Sequence, residues 1–130
     1  MLFRSFTGGI DDAQLAGWYQ ACDVFCMPSI GVAETFGLVQ LEAMACSKPV
    51  VVSRLGNGVN EVHADGVNGF SVPVGDAPAL ARALDRLLGD PALRAEMGSA
   101  SRERVLSMFS LERMRDLTLQ CYAQALEWRC

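Results

Sequence analysis

Two uninterrupted apolar runs constrain the fold of this chain more than any other feature. Residues 23–28 read Asp-Val-Phe-Cys-Met-Pro, and residues 49–53 read Pro-Val-Val-Val-Ser. A strand with one face in water alternates apolar and polar side chains, whereas these runs predict strands that are covered on both faces. Segments with helical spacing separate and follow them. The sequence therefore predicts an α/β fold in which a parallel, Rossmann-like sheet carries helices on both faces.

Local signals predict the remaining elements. Alternating residues predict a first strand at 2–6, and turn signals precede a strand at 70–72. Helical spacing predicts a helix at 36–46 and a short one at 59–64. Four further helices are predicted to begin at residues whose side chains commonly cap helix starts: Asp11, Asp76, Asp90 and Ser110. No strand is predicted in residues 76–130, which are expected to form a C-terminal helical segment.

Length and charge exclude several classes of protein. The 130 residues suffice for one domain with a core, and the net charge of −4 argues against a nucleic-acid-binding surface. No apolar run approaches the roughly 20 residues that span a bilayer. The first residues lack the basic and apolar stretches of a signal peptide, so a cytoplasmic location is expected.

The five cysteines and the single histidine indicate no metal or catalytic site. The cysteines include no C-x-x-C pair, so reduced thiols in the core are expected. His63 has no serine and aspartate placed to complete a triad. It is expected at the protein surface, and no metal site is expected.

Two glutamates, Glu34 and Glu42, are the candidate site residues. A pair of carboxylates at this spacing is most often solvated surface. Here, however, the loop holding Glu34 leaves the carboxyl end of the predicted strand 23–28, where open parallel sheets bind ligands. Glu42 falls in an apolar helix and is expected to be buried, and a buried carboxylate requires a partner or a ligand.

The predicted helix start between these glutamates suits an anion such as a diphosphate. The first turn of a helix leaves about four N–H groups unpaired, and its dipole favours negative charge. The expected donors are the backbone N–H groups of Phe36, Gly37, Leu38 and Val39. Gly37 has no side chain to hold a phosphate away. Glu34 would accept hydrogen bonds from a hexose, and Glu42 would accept both hydroxyls of a ribose. The turn 56–58 either lines the same cleft or is an ordinary turn.

Short motifs follow one another in order along nearly the whole chain. They lie at residues 6–8, 21–25, 27–29, 34–46, 49–51, 60–62, 65–66, 69–70 and 109–112. This series resembles the C-terminal, donor-binding domain of the retaining GT-B glycosyltransferases of the family 4 type, the glycosyl transferases group 1. Residues 34–42, Glu-Thr-Phe-Gly-Leu-Val-Gln-Leu-Glu, look like the E-x7-E motif of that family.

The resemblance implies a role for each matched position. Glu34 is implied to be the catalytic carboxylate that contacts the donor sugar near the reacting carbon, and Glu42 to hold the nucleotide ribose. The sugar and diphosphate are implied to bind the N–H groups of Phe36, Gly37 and Leu38. The base is implied to lie near Gly8, Gly9 and Ile10. The implied donor is a UDP-, GDP- or ADP-sugar, and the implied reaction retains configuration without a metal or other cofactor.

The resemblance also suggests which transferases are most similar. Residues 56–60 look most like mannosyl- and related transferases of polysaccharide or lipopolysaccharide synthesis. Ser47 stands where the family usually has glycine after a helix end.

A larger departure is that the family's Gly-Arg segment and following lysine, which grip the donor phosphates, have no counterpart here. The N-terminal acceptor domain has none either. The chain is therefore expected to be a donor-binding fragment, 1–130, with little activity alone. Contact with a membrane surface is expected only for a full-length enzyme.

The departures have structural consequences. Family sheets run in the order 3-2-1-4-5-6, and this chain lacks the counterparts of the first two strands. The strand 23–28 would then present an apolar edge, so self-association through that edge, or a rearranged position of residues 2–6, is expected. Tyr122 and Trp128 on the last helix are expected to be exposed.

Two alternatives remain open at this point. One is a non-catalytic nucleotide-sugar-binding or assembly module of a split enzyme. The other is a sugar-nucleotide epimerase, which shares the GT-B architecture.

Overall fold

The computed structural model describes residues 5–31 and 33–128, in which six helices and three strands form. The strands are β1 (Phe25–Met27), β2 (Val50–Ser53) and β3 (Gly69–Val72). The helices are α1 (Asp12–Ala21), α2 (Leu38–Ala45), α3 (Gly58–Val62), α4 (Ala77–Gly89), α5 (Pro91–Met108) and α6 (Leu111–Glu127).

The three strands form one parallel sheet in the order β1-β2-β3. Cys26 of β1 pairs with Val51 of β2, which pairs with Phe70 of β3. Among the described residues β1 is an edge strand. The strand predicted at 2–6 lies largely outside the described residues, and Ser5 and Phe6 are exposed and belong to no strand.

Both faces of the sheet are covered, which confirms the predicted fold class. On one face Val50 and Val52 of β2 join a cluster with Met44 of α2 and with α3. On the other face Val51 packs with Leu87 of α4 and with the start of α5. All three valines are fully buried, because successive side chains of a strand point to opposite faces and each face carries helices.

The predicted caps form as the sequence indicates. Asp11 and Gln14 make a reciprocal capping box at the start of α1. Three further cap side chains accept from the N–H group three residues on: Asp76 from Ala79, Asp90 from Leu93, and Ser110 from Arg113. Polar caps at these positions satisfy N–H groups that would otherwise be unpaired, so they fix where α4, α5 and α6 begin.

Close backbone packing holds α5 against the end of α2. A Cβ atom on Gly98 of α5 would lie 2.2 Å from the Ser47 carbonyl oxygen, so only glycine fits there. Ser47 itself has φ 60, the left-handed conformation that glycine adopts most easily. The left-handed residue expected at the end of α2 is therefore present, although it is a serine.

The apolar side chains of α6 lie in solvent. Among the described residues α6 has no buried side chain, and Tyr122 and Trp128 are 66% and 91% exposed, as predicted. Cys121 on α6 is also exposed, so the expectation that the cysteines are core thiols is wrong there.

Three other cysteines, Cys22, Cys26 and Cys46, are half-buried free thiols, and burial raises the pKa of Cys22 and of Cys26. Cys130 lies outside the described residues. None of the described helices is both long and apolar enough to cross a bilayer.

His63 is buried, which makes the prediction of a surface histidine wrong. Helix α3 ends at Val62, and His63 turns toward β3, where its Nε2 atom lies 2.9 Å from the Ser71 hydroxyl. Only 3% of the residue is exposed. Burial lowers the pKa of His63, the Val59 backbone and the Asp65 carboxylate oppose this effect, and the Arg104 guanidinium adds to it.

We predict that acid destabilises the fold through His63. The imidazole of an unfolded chain gains a proton near pH 6.5, whereas the folded ring resists it. The unfolded state therefore binds more protons below about pH 6.5, and the free energy of unfolding falls as the pH falls through that value. His63→Gln keeps a polar partner for Ser71, removes the chain's single histidine and should flatten this dependence. Urea titrations at pH 7.5 and 5.5 measure it, and equal pH dependence in both proteins would contradict the prediction.

Candidate functional site

Helix α2 begins two residues later than the sequence suggests. The expected start at Phe36 is wrong, because Gly37 is the N-cap and adopts φ 70 and ψ 61. The first helical N–H groups are therefore those of Leu38 and Val39, while Phe36 and Gly37 belong to the approaching loop. No side chain caps this helix start among the described residues. The first turn of α2 therefore has no side-chain competitor for an anion.

The absence of a side chain at Gly37 is explained by the protein interior. A Cβ atom there would lie 2.8 Å from the Met27 Cε atom and 3.1 Å from the Gln40 Nε2 atom. Left-handed backbone and contact with the end of β1 both require glycine. Packing therefore explains the glycine, and the expectation that it also clears space for a phosphate stays a prediction.

Gln40 anchors the Glu34 loop, a role that the sequence reading missed. It is fully buried, and its Nε2 group donates to the carbonyl oxygens of Phe36 and Val59, both at 3.0 Å. The Oε1 atom has no partner among the described atoms. A signal was available in the sequence, since Gln40 is a polar residue inside an apolar helix and buried polar groups are normally bonded.

The turn at 56–58 packs directly against the Glu34 loop. The Asn57 Nδ2 group donates to the Glu34 carbonyl oxygen at 2.7 Å, and the Asn57 Oδ1 atom accepts from the Val59 N–H at 3.1 Å. A Cβ atom on Gly58 would lie 2.5 Å from the Thr35 carbonyl oxygen. These contacts hold Glu34, whose side chain is half-buried, beside the start of α3.

Glu42 is exposed, so the expectation of a buried carboxylate is wrong. It lies on the side of α2 that faces α1 rather than the sheet. The expected partner is nevertheless present, because the Tyr19 hydroxyl donates to the Glu42 Oε2 atom at 2.8 Å. Both residues line a cavity of about 350 Å³ between α1 and α2. Its remaining lining residues are Asp12, Leu15, Ala16 and Cys46.

Tyr19 is a second residue that the sequence reading missed as a site residue. It is the buried residue of α1, and its ring packs edge-on against the Phe25 ring at 5.9 Å between centroids. Burial raises the pKa of Tyr19, and the hydrogen bond to Glu42 raises it further. The helical spacing of Tyr19 predicts a core residue, but it does not predict the hydrogen bond to Glu42.

The loop carrying Gly8, Gly9 and Ile10 lies on a different side of α1. Ile10 lines a separate cavity of about 550 Å³ with Trp18 and other α1 residues. These α1 positions lie opposite those that line the Glu42 cavity. The structure therefore brings Glu34 and the first turn of α2 together with the turn at 56–58, but it does not place Ile10 in one cavity with Glu42.

Several basic side chains near the site bind protein carbonyls or carboxylates. Arg104 donates to the Val62 and Glu61 carbonyl oxygens at the end of α3, and Arg54 pairs with Asp65 at 3.4 Å. Within residues 5–31 and 33–128, no three or more histidine, cysteine or carboxylate side chains cluster as a metal site would. The described site therefore offers hydroxyl acceptors and backbone N–H donors.

The structure is thus a Rossmann-like parallel α/β sheet, and the Glu34 loop and the start of α2 follow the carboxyl end of β1. The family model for glycosyl transferases group 1 matches residues 5–104. The chain belongs to the glycosyl transferases group 1 family.

Two sequence relatives illustrate the match. The D-inositol 3-phosphate glycosyltransferase of Arthrobacter sp. (strain FB24) is 39% identical over 91% of this chain and 27% of its own length. The phosphatidyl-myo-inositol mannosyltransferase of Mycobacterium leprae (strain TN) is 45% identical over 77% of this chain and 26% of its own length. The chain thus spans about a quarter of these curated relatives.

Solved structures show the same fold. The sucrose-phosphate synthase of Thermosynechococcus elongatus has a TM-score of 0.84 and 40% identity, over 95% of this chain and 30% of that one. Anabaena Alr3699/HepE in complex with UDP-glucose has a TM-score of 0.77 and 27% identity, over 85% of this chain and 30% of that one.

We predict that Asn57 has two separable functions, capping α3 and holding the Glu34 loop. Asn57→Ala loses both and should cost about 1 kcal/mol of stability from the missing cap. Asn57→Asp keeps a cap acceptor but has no donor for the Glu34 carbonyl, so most of that stability should return. Amide hydrogen exchange in residues 33–37 should be faster in both variants. Unchanged exchange in Asn57→Asp would show that the bond to Glu34 does not hold the loop.

Proposed function

We propose that this chain binds the donor of a retaining glycosyltransferase, a nucleoside-diphosphate hexose, and needs no metal to do so. The observation that carries the proposal is the arrangement of Glu34 and Glu42 on either side of an uncapped helix start. Acceptors for hydroxyl groups then flank donors for a diphosphate, which is the order of groups in a sugar nucleotide.

The diphosphate is assigned to the N–H groups of Leu38 and Val39, with Phe36 and Gly37 forming the loop that leads to them. Unpaired N–H groups and the positive end of the α2 dipole both favour an anion there. The dipole contributes roughly 0.3–1 kcal/mol per charge at an exposed helix end. This contribution is small, so tight binding of the phosphates is assigned to basic residues outside this chain, as the family resemblance implies.

The two carboxylates are assigned to the two sugars. Glu34 contacts the transferred hexose near the reacting carbon and acts as the catalytic carboxylate. Glu42 accepts hydrogen bonds from the ribose hydroxyls, and each such charge-assisted bond contributes about 1.5–3 kcal/mol. Glu42 lines a cavity, so its carboxylate is open to a ligand there.

The base is assigned to Gly8, Gly9 and Ile10. Ile10 precedes α1 by two residues, and Asp12 lines the cavity of Glu42. Ile10 lines a cavity on the side of α1 opposite the Glu42 cavity. A nucleotide with its ribose at Glu42 and its base at Ile10 must therefore pass around the first turn of α1.

The names of the relatives suggest the wider reaction. One structural relative is described in complex with UDP-glucose, and one sequence relative is a mannosyltransferase. We infer transfer of a mannosyl or related hexosyl group from a UDP-, GDP- or ADP-sugar. The acceptor-binding half is assigned to a further domain or a second polypeptide, because the match covers only 27% and 26% of the two relatives. The 130-residue chain alone should therefore bind donor but show little turnover.

We predict that the two carboxylates can be separated by ligand. Glu42→Ala should weaken binding of a bare nucleoside diphosphate about tenfold or more, because it removes a charged hydrogen-bond acceptor. Glu34→Ala should spare the bare nucleotide and weaken only the sugar-bearing form. Calorimetric titration with UDP, GDP, ADP and the matching hexose conjugates measures both. Glu96→Ala on the exposed surface of α5 is the matched control.

Equal losses for both ligands in both variants would refute the assigned roles. If none of the three wild-type titrations detects nucleotide binding, the proposal that this chain binds the donor is refuted.

We further propose that the isolated chain self-associates through β1. This strand pairs with β2 on one side only among the described residues, and exposed strand edges pair readily with other strands. The apolar side chains of α6 provide further exposed area. Sedimentation velocity should show mass increasing with concentration, and Cys26→Pro, which removes a backbone donor from β1, should reduce it. A concentration-independent monomer in wild type would contradict the proposal.

A further inference from the structure

The hydrogen bond between Tyr19 and Glu42 joins a buried, fixed side chain to an exposed one. Tyr19 is 9% exposed and is fixed by its place on α1 and by the Phe25 ring of β1. Glu42 is exposed, and a long side chain on a helix surface samples several rotamers when nothing holds it. The Tyr19 hydroxyl reaches only one carboxylate oxygen, Oε2, at 2.8 Å.

This geometry divides the carboxylate into an occupied and an available oxygen. An ionised carboxylate accepts at two oxygens with about four lone-pair sites. With Oε2 held by Tyr19, Oε1 remains for a ligand in the cavity that both residues line. The Tyr19 hydroxyl stays protonated across the physiological range, because burial raises its pKa. The hydroxyl can therefore donate to Glu42 throughout that range.

We propose that Tyr19 is a positioning residue for ribose recognition, holding Glu42 so that its Oε1 atom accepts from the ribose hydroxyls. This rests on the proposed function, which assigns the ribose to Glu42. It adds that selectivity for ribose over 2′-deoxyribose depends on a residue of α1 that acts through Glu42. Preorganisation is the physical reason, since a carboxylate already held in place loses less rotamer entropy on binding.

A Tyr19 that only tethered α1 to α2 would make the same hydrogen bond, but removing its hydroxyl would affect ligand binding differently. If Tyr19 only joined α1 to α2, removing its hydroxyl would lower stability and weaken all nucleotides equally. If it positions Glu42, the loss falls on ligands that use the 2′-hydroxyl. The ratio of affinities for ribose and 2′-deoxyribose forms separates these roles.

The test is Tyr19→Phe in the 130-residue chain, which removes one oxygen and keeps the ring. The probe is whichever of UDP, GDP and ADP binds the wild type most tightly, together with its 2′-deoxy form. Wild type should prefer the ribose form about tenfold, as expected for one charged hydrogen bond. Tyr19→Phe should reduce that preference to about twofold or less. The matched control Tyr122→Phe alters the exposed tyrosine of α6 and should keep the full preference.

A second measurement covers the case in which Tyr19→Phe fails to fold. The chain has two tyrosines, so labelling with 3-fluorotyrosine gives two ¹⁹F NMR signals. The Tyr19 signal should shift more with the ribose form than with the 2′-deoxy form, while the Tyr122 signal stays constant. A Tyr19 signal that responds equally to both forms would overturn the inference.

The outcomes distinguish this inference from the function on which it rests. A wild type that prefers ribose, with the same preference in Tyr19→Phe, overturns the positioning role and leaves donor binding intact. A wild type that binds nucleotides without preferring ribose overturns the assignment of ribose to Glu42, and the inference falls with it.

Discussion

The burial of β2 between two helical layers is the constraint on which the rest of the structure depends. Its valines Val50, Val51 and Val52 have no exposed surface, and burying each stabilises the fold by about 1.5–3 kcal/mol. β1 and β3 run parallel to β2 on its two sides, so the three strands end at the same edge. The loop that carries Glu34 follows β1, and the turn that carries Asn57 follows β2. The two segments meet because their strands are neighbours.

Polar contacts join these neighbouring segments into a defined site. Gln40 and Asn57 bind carbonyl oxygens of the Glu34 loop, and each link crosses from one element to the next. These bonds restrain the backbone of the loop at Glu34 and Phe36. Glu42 is held separately, through Tyr19 of α1. The two carboxylates thus rest on different supports, which explains why we expect them to respond differently to substitution.

Much of the fold and part of the site could be predicted from the sequence. Apolar runs identify β1 and β2 because burial on both faces leaves no alternation, and side-chain caps such as Asp90 fix helix starts locally. The predictions that were wrong concern features that depend on tertiary contacts. The left-handed Gly37 sets the start of α2 through its contact with Met27. The direction in which α2 faces α1 leaves Glu42 exposed, and β3 covers His63. None of these follows from spacing along the chain.

The most direct test of the central claim is to map nucleotide binding onto the backbone amides of the ¹⁵N-labelled chain by NMR. UDP, GDP and ADP are titrated in turn. We predict that the largest shifts occur at the Leu38 and Val39 amides, with smaller shifts near Glu42. Shifts confined to the cavity lined by Ser53 and Asp76 at the ends of β2 and β3, with Leu38 and Val39 unchanged, would contradict a donor site at the start of α2.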